Sequence, residues 1–235
     1  MYVTSTIFGF PNHPINNSLG DRVLTSTPGG PLETETILLD GRIQRVYKNM
    51  APSLRHLWLD ISSRHANRVY LVFENERLTY GEVHRRASRA ADVLRNTYDV
   101  RKGDRVGIVV RNFPEWVVAW WATHLLGAVP AAVNAWLPIK ALQFCILNTD
   151  CKVVVVDPER ANMLERWVSH ATSDPESCIR GVLVVRPWEG KREGWKGIKS
   201  WDEVMKSYKG ETETWKREQA CVPEDNACIF FTSGT

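Results

Sequence analysis

Short apolar runs alternate with longer segments of helical periodicity between residues 105 and 186. The most strongly apolar run, KVVVVD at 152–157, lacks polar alternation, which is typical of a parallel strand buried on both faces of a sheet. Strand followed by helix, repeated along the chain, predicts β-α-β units. We therefore expect an α/β fold with mostly parallel sheets flanked by helices. Strands are predicted at 105–110, 128–133, 152–157 and 181–186, and helices at 114–126, at 138–147 and from residue 158.

Capping residues mark the starts of several helices. Thr79 and Glu82 form a T-x-x-E capping box, in which each side chain satisfies a backbone N–H group of the first turn. Asp157 and Pro158 combine a favoured N-cap residue with the residue favoured at the first helical position. Upstream, VYLVFENERLTY at 69–80 contains two short apolar runs around a polar pair and is predicted to form a β-hairpin.

Two long segments lack this regular pattern. Residues 1–50 are rich in Pro, Gly, Asn, Ser and Thr and have no sustained period, so we predict an irregular or partly disordered N-terminal arm. Residues 187–226 are polar and rich in Trp, Lys and Glu. We predict that they form a surface excursion with one short helix, whose start is marked by Ser200 and Glu203.

Composition excludes several classes of protein. The 30 Lys and Arg residues against 27 Asp and Glu give a net charge of +3, too small a surplus to indicate a nucleic-acid partner. The longest apolar stretch, 116–130, is interrupted by polar residues and is too short to span a bilayer. The N-terminus lacks the pattern of a secretory signal. Five cysteines without C-x-x-C or zinc spacing predict an intracellular protein without a disulfide framework or metal site.

The chemistry that the sequence suggests lies where the apolar run 227–231 leads into Thr232, Ser233, Gly234 and Thr235. Glycine lets the backbone approach an anion closely, successive N–H groups can line a concave anion site, and small hydroxyl groups add donors. Taken alone, T-S-G-T is also compatible with an ordinary turn after a strand. The spacing of a Walker phosphate loop is absent.

The upstream segments favour the phosphate-holding interpretation. LTYGEVHRRASRAADVL is followed by VRKGDRVGIVVRNFPEWVVAWWATHLLGAVPAAVNAWLPIKAL, then by KVVVVD, and finally by FTSGT. In this order and spacing, residues 55–235 resemble the N-terminal part of the adenylate-forming enzymes, which include acyl-CoA synthetases, luciferases and the adenylation domains of peptide synthetases. The resemblance implies that residues 51–235 are a partial AMP-binding (adenylation) domain ending inside the phosphate loop. Residues 1–50 show no likeness.

The resemblance also implies an activity. In this family a carboxylate attacks the α-phosphorus of ATP with Mg²⁺ assistance, giving an acyl-adenylate, and coenzyme A then displaces AMP to form a thioester. The implied partners are a small carboxylic acid, ATP and CoA. Thr232, Ser233, Gly234 and Thr235 would hold the ATP phosphates, by positioning and charge stabilisation. No catalytic or metal-binding residue of the family maps onto this sequence, because those positions lie beyond the equivalent of Thr235. We therefore expect a fragment of a longer enzyme that is inactive by itself.

The branch of the family is indicated by VNAWLPIKALQFCILNTDCKVVVVDPER, which most resembles acyl-CoA ligases of fatty acid metabolism. This favours an acyl-CoA synthetase in the cytoplasm, with the peroxisome as the alternative location. Two further alternatives stay open. One is another adenylate-forming branch, such as a peptide-synthetase adenylation domain or an aryl-CoA ligase. The other is a non-catalytic remnant that binds a partner or a nucleotide without turnover.

Several other polar residues are predicted to have structural roles. His124 lies in an apolar helix and is predicted to be packed in the core. Asn112 and Glu115 begin a helix, where capping and complementarity to the helix dipole account for them. Asp157 is predicted to be an N-cap rather than a ribose-binding acid, because no G-x-G-x-x-G motif precedes it.

Three tryptophans lie in the helix predicted at 114–126, and an asparagine and a tryptophan follow the strand predicted at 128–133. Trp116, Trp120 and Trp121 are predicted to fill a helix–sheet interface. Asn134 and Trp136 follow the carboxyl end of a predicted strand, where open α/β sheets place their ligand clefts. They either border the substrate site or lie in an ordinary surface turn.

The genomic continuation gives a direct test of the loop. If T-S-G-T is the first half of the family's phosphate loop, the reading frame after the Thr235 codon continues close to Thr-Gly-x-Pro-Lys-Gly. Sequencing of the transcript downstream of that codon checks this. An unrelated continuation removes the basis of the ligase assignment.

Overall fold

The computed structural model describes residues 19–39, 41–174, 177–190 and 194–231. The chain divides into two compact units between Pro52 and Ser53. The first unit contains one helix and one hairpin among its described residues, and the second contains the alternating strands and helices.

The first unit contains more regular structure than its sequence pattern predicts. Helix α1 (Leu19–Ser26) is followed by strands β1 (Thr34–Leu39) and β2 (Arg42–Tyr47), which pair antiparallel. Gly41 in the connecting turn has a φ of +75°, a left-handed conformation that glycine adopts without strain. In place of a wholly irregular arm, this part of residues 1–50 therefore has a helix and a hairpin. The Asp-Gly pair at 40–41 between two apolar-containing runs is the hairpin signal in the sequence.

The second unit follows the predicted order of elements. It begins with α2 (Leu54–Arg64), the hairpin β3 (Val69–Phe73) and β4 (Glu76–Thr79), and α3 (Tyr80–Tyr98). The alternating part comprises β5 (Arg105–Val109), α4 (Pro114–Leu125), β6 (Val129–Ala132), α5 (Ile139–Asn148), β7 (Cys151–Val156), α6 (Pro158–Ala171) and β8 (Gly181–Val184). The remaining elements are β9 (Ile198–Ser200), α7 (Trp201–Ser207) and β10 (Ile229–Phe230), with short 3₁₀ turns at Pro187–Glu189 and Thr214–Arg217.

Six of these strands form one parallel sheet in the order β10-β6-β5-β7-β8-β9. Successive residues of β7 enter two separate cores: Val153 and Val155 pack with α3 and α4, whereas Val154 and Val156 pack with α5 and α6. Burial on both faces explains why the strand has no polar alternation. The predicted α/β class, with a parallel sheet flanked by helices, is confirmed.

Helix starts largely follow the capping signals. In α3 the Glu82 N–H donates to Thr79 Oγ1 at 3.2 Å and the Thr79 N–H donates to Glu82 Oε2 at 2.8 Å, so both halves of the capping box are present. In α4 the N-cap residue is Phe113, without a side-chain cap bond, so the capping role predicted for Asn112 is wrong. Pro114 at the first helical position has no N–H group that needs a partner, which reduces the need for a cap.

Residues 187–226 are not only a surface excursion, and that prediction is wrong. Strand β9 extends the sheet beyond β8, and the side chains of Trp195, Trp201 and Trp215 are buried. The 3₁₀ turn after α7 is held by the buried carboxylate of Asp92, which accepts hydrogen bonds from the Thr214 N–H and hydroxyl and from the next N–H upstream. A few large indoles buried among many polar residues give no clear periodicity, so the sequence pattern did not reveal this packing.

Arg186 connects three elements around β8. Its guanidinium lies about midway between the rings of Phe73 and Phe113, at 4.9 and 5.0 Å from their centroids. It donates hydrogen bonds to Glu115 at 2.9 Å and to Glu76 at 2.6 Å. Burial by itself lowers the pKa of Arg186, but these bonds to the two carboxylates outweigh it and raise the pKa above its ordinary value. The β3–β4 hairpin, the start of α4 and the end of β8 are therefore joined through one cation.

Arg186→Met should destabilise the protein by about 3 kcal/mol, because it leaves two carboxylates without their buried cation. The matched control is Lys216→Met, which removes an exposed ion pair with Glu213 and should change stability by less than about 0.5 kcal/mol. Urea unfolding followed by tryptophan fluorescence measures both. Equal effects of the two substitutions would contradict the role of Arg186.

Candidate functional site

The carboxyl ends of the six parallel strands all lie at one edge of the sheet. At this edge β10 pairs in parallel with β6, so that Ile229 is opposite Ala131 and Phe230 is opposite Ala132. These two strands therefore end side by side. In open α/β sheets, ligands bind at this kind of edge.

The predicted phosphate-holding residues Thr232, Ser233, Gly234 and Thr235 lie outside the described residues, whose last member is Phe231. The structure gives the position of the strand that leads to them. Among the described strands, β10 is the outermost on its side of the sheet, next to β6. The turn that follows β6 therefore begins beside the described end of β10.

That turn contains both residues predicted to border a ligand site. The Trp136 N–H donates to Asn134 Oδ1 at 3.0 Å, and the Leu137 N–H donates to the Asn134 carbonyl at 3.2 Å, which closes a tight turn. The Trp136 side chain is 71% exposed. Asn134 and Trp136 thus lie on the surface at the edge to which β10 also leads, and their contact with a substrate stays a prediction.

A buried ion network that the sequence analysis missed supports this turn. Asp157 and Arg160 are 0% and 1% exposed. Arg160 Nη1 donates to both carboxylate oxygens of Asp157 at 3.1 Å, and its Nε donates to the Ala135 carbonyl at 2.7 Å. Arg111, after β5, donates to Asp157 through its N–H at 3.0 Å and its Nε at 3.2 Å.

Asp157 therefore has more than the predicted capping role. It does accept a hydrogen bond from the Arg160 N–H at 3.1 Å, as expected of the N-cap of α6. It also joins the segments that follow β5, β6 and β7. The spacing of an acid and an arginine three residues apart, directly after a buried strand, is the sequence signal that indicates the pair.

The positive charges of this network are all paired. The guanidinium groups of Arg111 and Arg160 pair with the carboxylates of Asp157 and Glu159, and Arg111 also lies 4.0 Å from the carboxylate of Glu189. No net positive charge is left within the network for a phosphate group. An anion at this edge would therefore depend on donors from the loop after β10.

The donor set of that loop suits phosphate better than a metal ion. Thr232, Ser233, Gly234 and Thr235 offer three hydroxyl groups and their backbone N–H groups, which are the donors that phosphate oxygens accept. They offer no carboxylate, which Mg²⁺ prefers. Among the described residues, no group of three or more His, Cys, Asp or Glu side chains could hold a metal ion. In the same part of the chain, no helix is long and apolar enough to cross a membrane.

His124 is packed in the core, as predicted. Its ring lies 4.8 Å from the ring of Trp120 and 5.8 Å from that of Trp121, and Trp120 in turn contacts Phe230. The side chain is buried, and its Nε2 has no hydrogen-bond partner among the described residues. Burial lowers the pKa of His124 to about 4, so the ring is neutral near pH 7 and serves as an apolar packing group.

The tryptophans of α4 also serve as packing groups, mainly against other helices and the small hairpin. Trp121 stacks on Trp58 of α2 at 4.3 Å and donates to the Tyr70 hydroxyl at 3.0 Å. Trp116 and Trp120 stack on each other at 5.2 Å and are only partly buried. The cluster fixes α4 against α2 and the β3–β4 hairpin.

Comparison with known proteins identifies the class. The AMP-binding enzyme family matches residues 60–235, three quarters of the chain. The chain belongs to this family, and corresponds to the N-terminal part of its adenylate-forming members. The resemblance found in the sequence motifs is confirmed.

Individual relatives agree with this assignment. Long-chain fatty acid transport protein 2 of Rattus norvegicus is 29% identical over 198 residues, which cover 81% of this chain and 30% of that protein. Acetyl-coenzyme A synthetase of Penicillium chrysogenum is 28% identical over 172 residues, covering 69% of this chain and 24% of the relative. The chain therefore spans less than a third of the length of these curated relatives.

Solved structures show the same fold. MbtA of Mycobacterium smegmatis has a TM-score of 0.63 and 24% identity, over 79% of this chain and 32% of that one. The N-terminal domain of FACL13 from Mycobacterium tuberculosis has a TM-score of 0.61 and 21% identity, over 78% of this chain and 42% of that one. At these identities the likeness establishes the fold.

Protonation of His124 should make stability depend on pH. The folded pKa of about 4 lies below the ordinary value of 6.5, so the unfolded chain binds a proton at a pH where the folded chain does not. The free energy of unfolding therefore has its full value above pH 6.5. It decreases by up to about 3 kcal/mol as the pH falls towards 4. Urea unfolding at a series of pH values measures this loss.

The variant His124→Gln removes this titrating group and should reduce the pH dependence between pH 6.5 and 4, to which His84, whose pKa is also lowered by burial, still contributes. His56→Gln, at an exposed position of α2, serves as the control and should keep the wild-type profile. Identical profiles for His124→Gln and the wild type would contradict the burial of a neutral ring at this position.

Proposed function

We propose that this chain is the N-terminal part of an ATP-dependent acyl-CoA synthetase. The full reaction joins a carboxylic acid to ATP with release of pyrophosphate, and then transfers the acyl group from the adenylate to the thiol of coenzyme A with release of AMP. The observation that carries the proposal is the position of β10. The strand lies beside β6 in a parallel sheet and leads to the T-S-G-T segment at the edge where ligands bind.

In this proposal the segment after β10 holds the ATP phosphates. The backbone N–H groups and hydroxyls of Thr232, Ser233, Gly234 and Thr235 would orient the triphosphate for attack on its α-phosphorus and stabilise its charge. Mg²⁺, when bound to the nucleotide, would neutralise part of that charge. We assign no residue of this chain to the metal, to coenzyme A or to proton transfer.

The acyl-CoA branch is favoured by several relatives that are similar in sequence. Besides acetyl-coenzyme A synthetase, they include the long-chain-fatty-acid–CoA ligase FadD13 of Mycobacterium tuberculosis, 27% identical over 159 residues that cover 68% of this chain and 28% of the relative. We therefore place the carboxylic acid substrate among aliphatic acyl groups, and the enzyme in the cytoplasm or the peroxisome. An aryl-CoA ligase is the second candidate, because the anthranilate CoA ligase AuaEII shares the fold with a TM-score of 0.60.

The 235-residue chain by itself should bind a nucleotide without completing the reaction. It matches less than a third of the length of its curated relatives, and we expect residues needed for turnover to lie in the part of those proteins that it does not match. Binding and turnover are therefore measured separately.

ATP should raise the unfolding temperature of the purified chain in a concentration-dependent way, by the equivalent of about 2.7 kcal/mol at 100 times the dissociation constant. Thr232→Ala should weaken this effect, because it removes a hydroxyl donor from the proposed phosphate loop. Thr97→Ala, at an exposed position at the end of α3, is the matched control and should respond to ATP like the wild type.

ATP–pyrophosphate exchange measures turnover in the same samples. We expect none above the Thr232→Ala background. Exchange by the wild-type chain would show that the chain is active alone, and an unfolding temperature that does not respond to ATP would contradict the nucleotide site.

A further inference from the structure

The ion pair of Asp157 and Arg160 is unusual in being fully buried at the carboxyl edge of the sheet. Their side chains are 0% and 2% exposed, respectively. Removing two charges from water is costly, and buried ion pairs can often be replaced by apolar side chains of similar size without loss of stability. Stability alone is therefore a weak reason for a buried pair at this position, and its other contacts indicate what it does.

Those contacts are made with the turn that follows β6. Arg160 Nε donates to the Ala135 carbonyl at 2.7 Å, across 25 positions of sequence. The guanidinium carbon also lies 5.1 Å from the centre of the Trp136 ring, in cation–π geometry. Arg160 thus holds both the backbone and the exposed indole of one turn.

The turn that Arg160 contacts follows the strand next to β10. Strand β6, which precedes the turn, is the direct neighbour of β10, which leads to the proposed phosphate loop. The turn therefore begins beside the described end of β10, at the same edge of the sheet. A turn free to move would leave that end of β10 without a fixed neighbour on one side.

We propose that Arg160 is a positioning residue, which fixes the turn at 134–137 next to the described end of β10. Asp157 orients the guanidinium through two hydrogen bonds, and Arg111 in turn orients the carboxylate. Arg160 acts through the Ala135 carbonyl and the Trp136 ring. The effect on a nucleotide rests on the proposed function, whereas the rigidity of the turn does not.

The test needs a variant that removes the pair without leaving a buried charge. Asp157→Asn combined with Arg160→Leu does so, since asparagine keeps the N-cap of α6 and leucine fills part of the apolar volume. The matched control is Glu211→Gln combined with Arg217→Leu, which removes an exposed ion pair whose side chains are 58% and 62% accessible.

Two readouts distinguish positioning from a purely structural role. Hydrogen exchange of the amides at 134–137 should become at least about tenfold faster in the double variant, while exchange in β5 and β7 stays unchanged. The dissociation constant for ATP should rise by about tenfold, the effect of losing a charged hydrogen bond that orders the site. The control variant should show neither change.

Unchanged exchange at 134–137 in the double variant would overturn the proposal. So would faster exchange with the ATP affinity of the wild type, because the turn would then be irrelevant to the nucleotide. If the double variant does not fold, Arg160→Lys carries the test. Lysine cannot reach Asp157 and Ala135 with a planar fork, so exchange at 134–137 should still accelerate, and wild-type exchange in that variant would overturn the proposal.

Failure of the positioning role can be distinguished from failure of the proposed function. If ATP does not change the unfolding temperature of the wild-type chain, the proposed nucleotide site is contradicted. The exchange measurement still decides whether Arg160 fixes the turn. If the wild-type chain binds ATP, Thr232→Ala weakens that binding and the double variant leaves it unchanged, then only the positioning role of Arg160 is contradicted.

Discussion

Burial of the central strands on both faces is the constraint on which the rest of the structure depends. In β7, Val153 and Val155 enter one core while Val154 and Val156 enter the other, so neither face of the sheet can remain in water. Helices must therefore cover both sides, and the crossover connections they provide keep the strands parallel. Parallel strands in turn bring all their carboxyl ends to one edge, which is where the ligand site of such a fold forms.

Charged groups at that edge bind the connecting segments together. An apolar interior tolerates an ionised side chain only when it is paired and hydrogen-bonded. Asp157 is paired with Arg160 and Arg111, and Arg186 is paired with Glu115 and with a second carboxylate from the small hairpin. Each network connects segments that are distant in sequence but leave neighbouring strands. The apolar sheet thus sets the positions of the strands, and the ion networks set the positions of the turns between them.

Local signals were sufficient for much of the fold and for part of the candidate site. The Thr79–Glu82 capping box, the β3–β4 hairpin and the strand–helix alternation depend on residues within a few positions of one another, so the sequence predicts them. Asn134 and Trp136 were placed correctly at the edge because they directly follow a strand. Arg160 was missed because its partner Ala135 lies 25 residues away, and no local pattern reveals such a contact.

The amino-acid sequence by itself determined the α/β class and the family, because periodicity and capping are properties of short stretches of chain; the phosphate-holding role of the T-S-G-T segment stays a prediction. Only the tertiary structure decided the strand order that makes β10 the neighbour of β6. It also decided that β9 and three indoles of residues 187–226 are built into the sheet and cores, and that a buried guanidinium supports the turn beside β10. The physical reason is that strand pairing and burial depend on contacts between segments that are distant in the chain. The free energy of those contacts does not arise within any single segment.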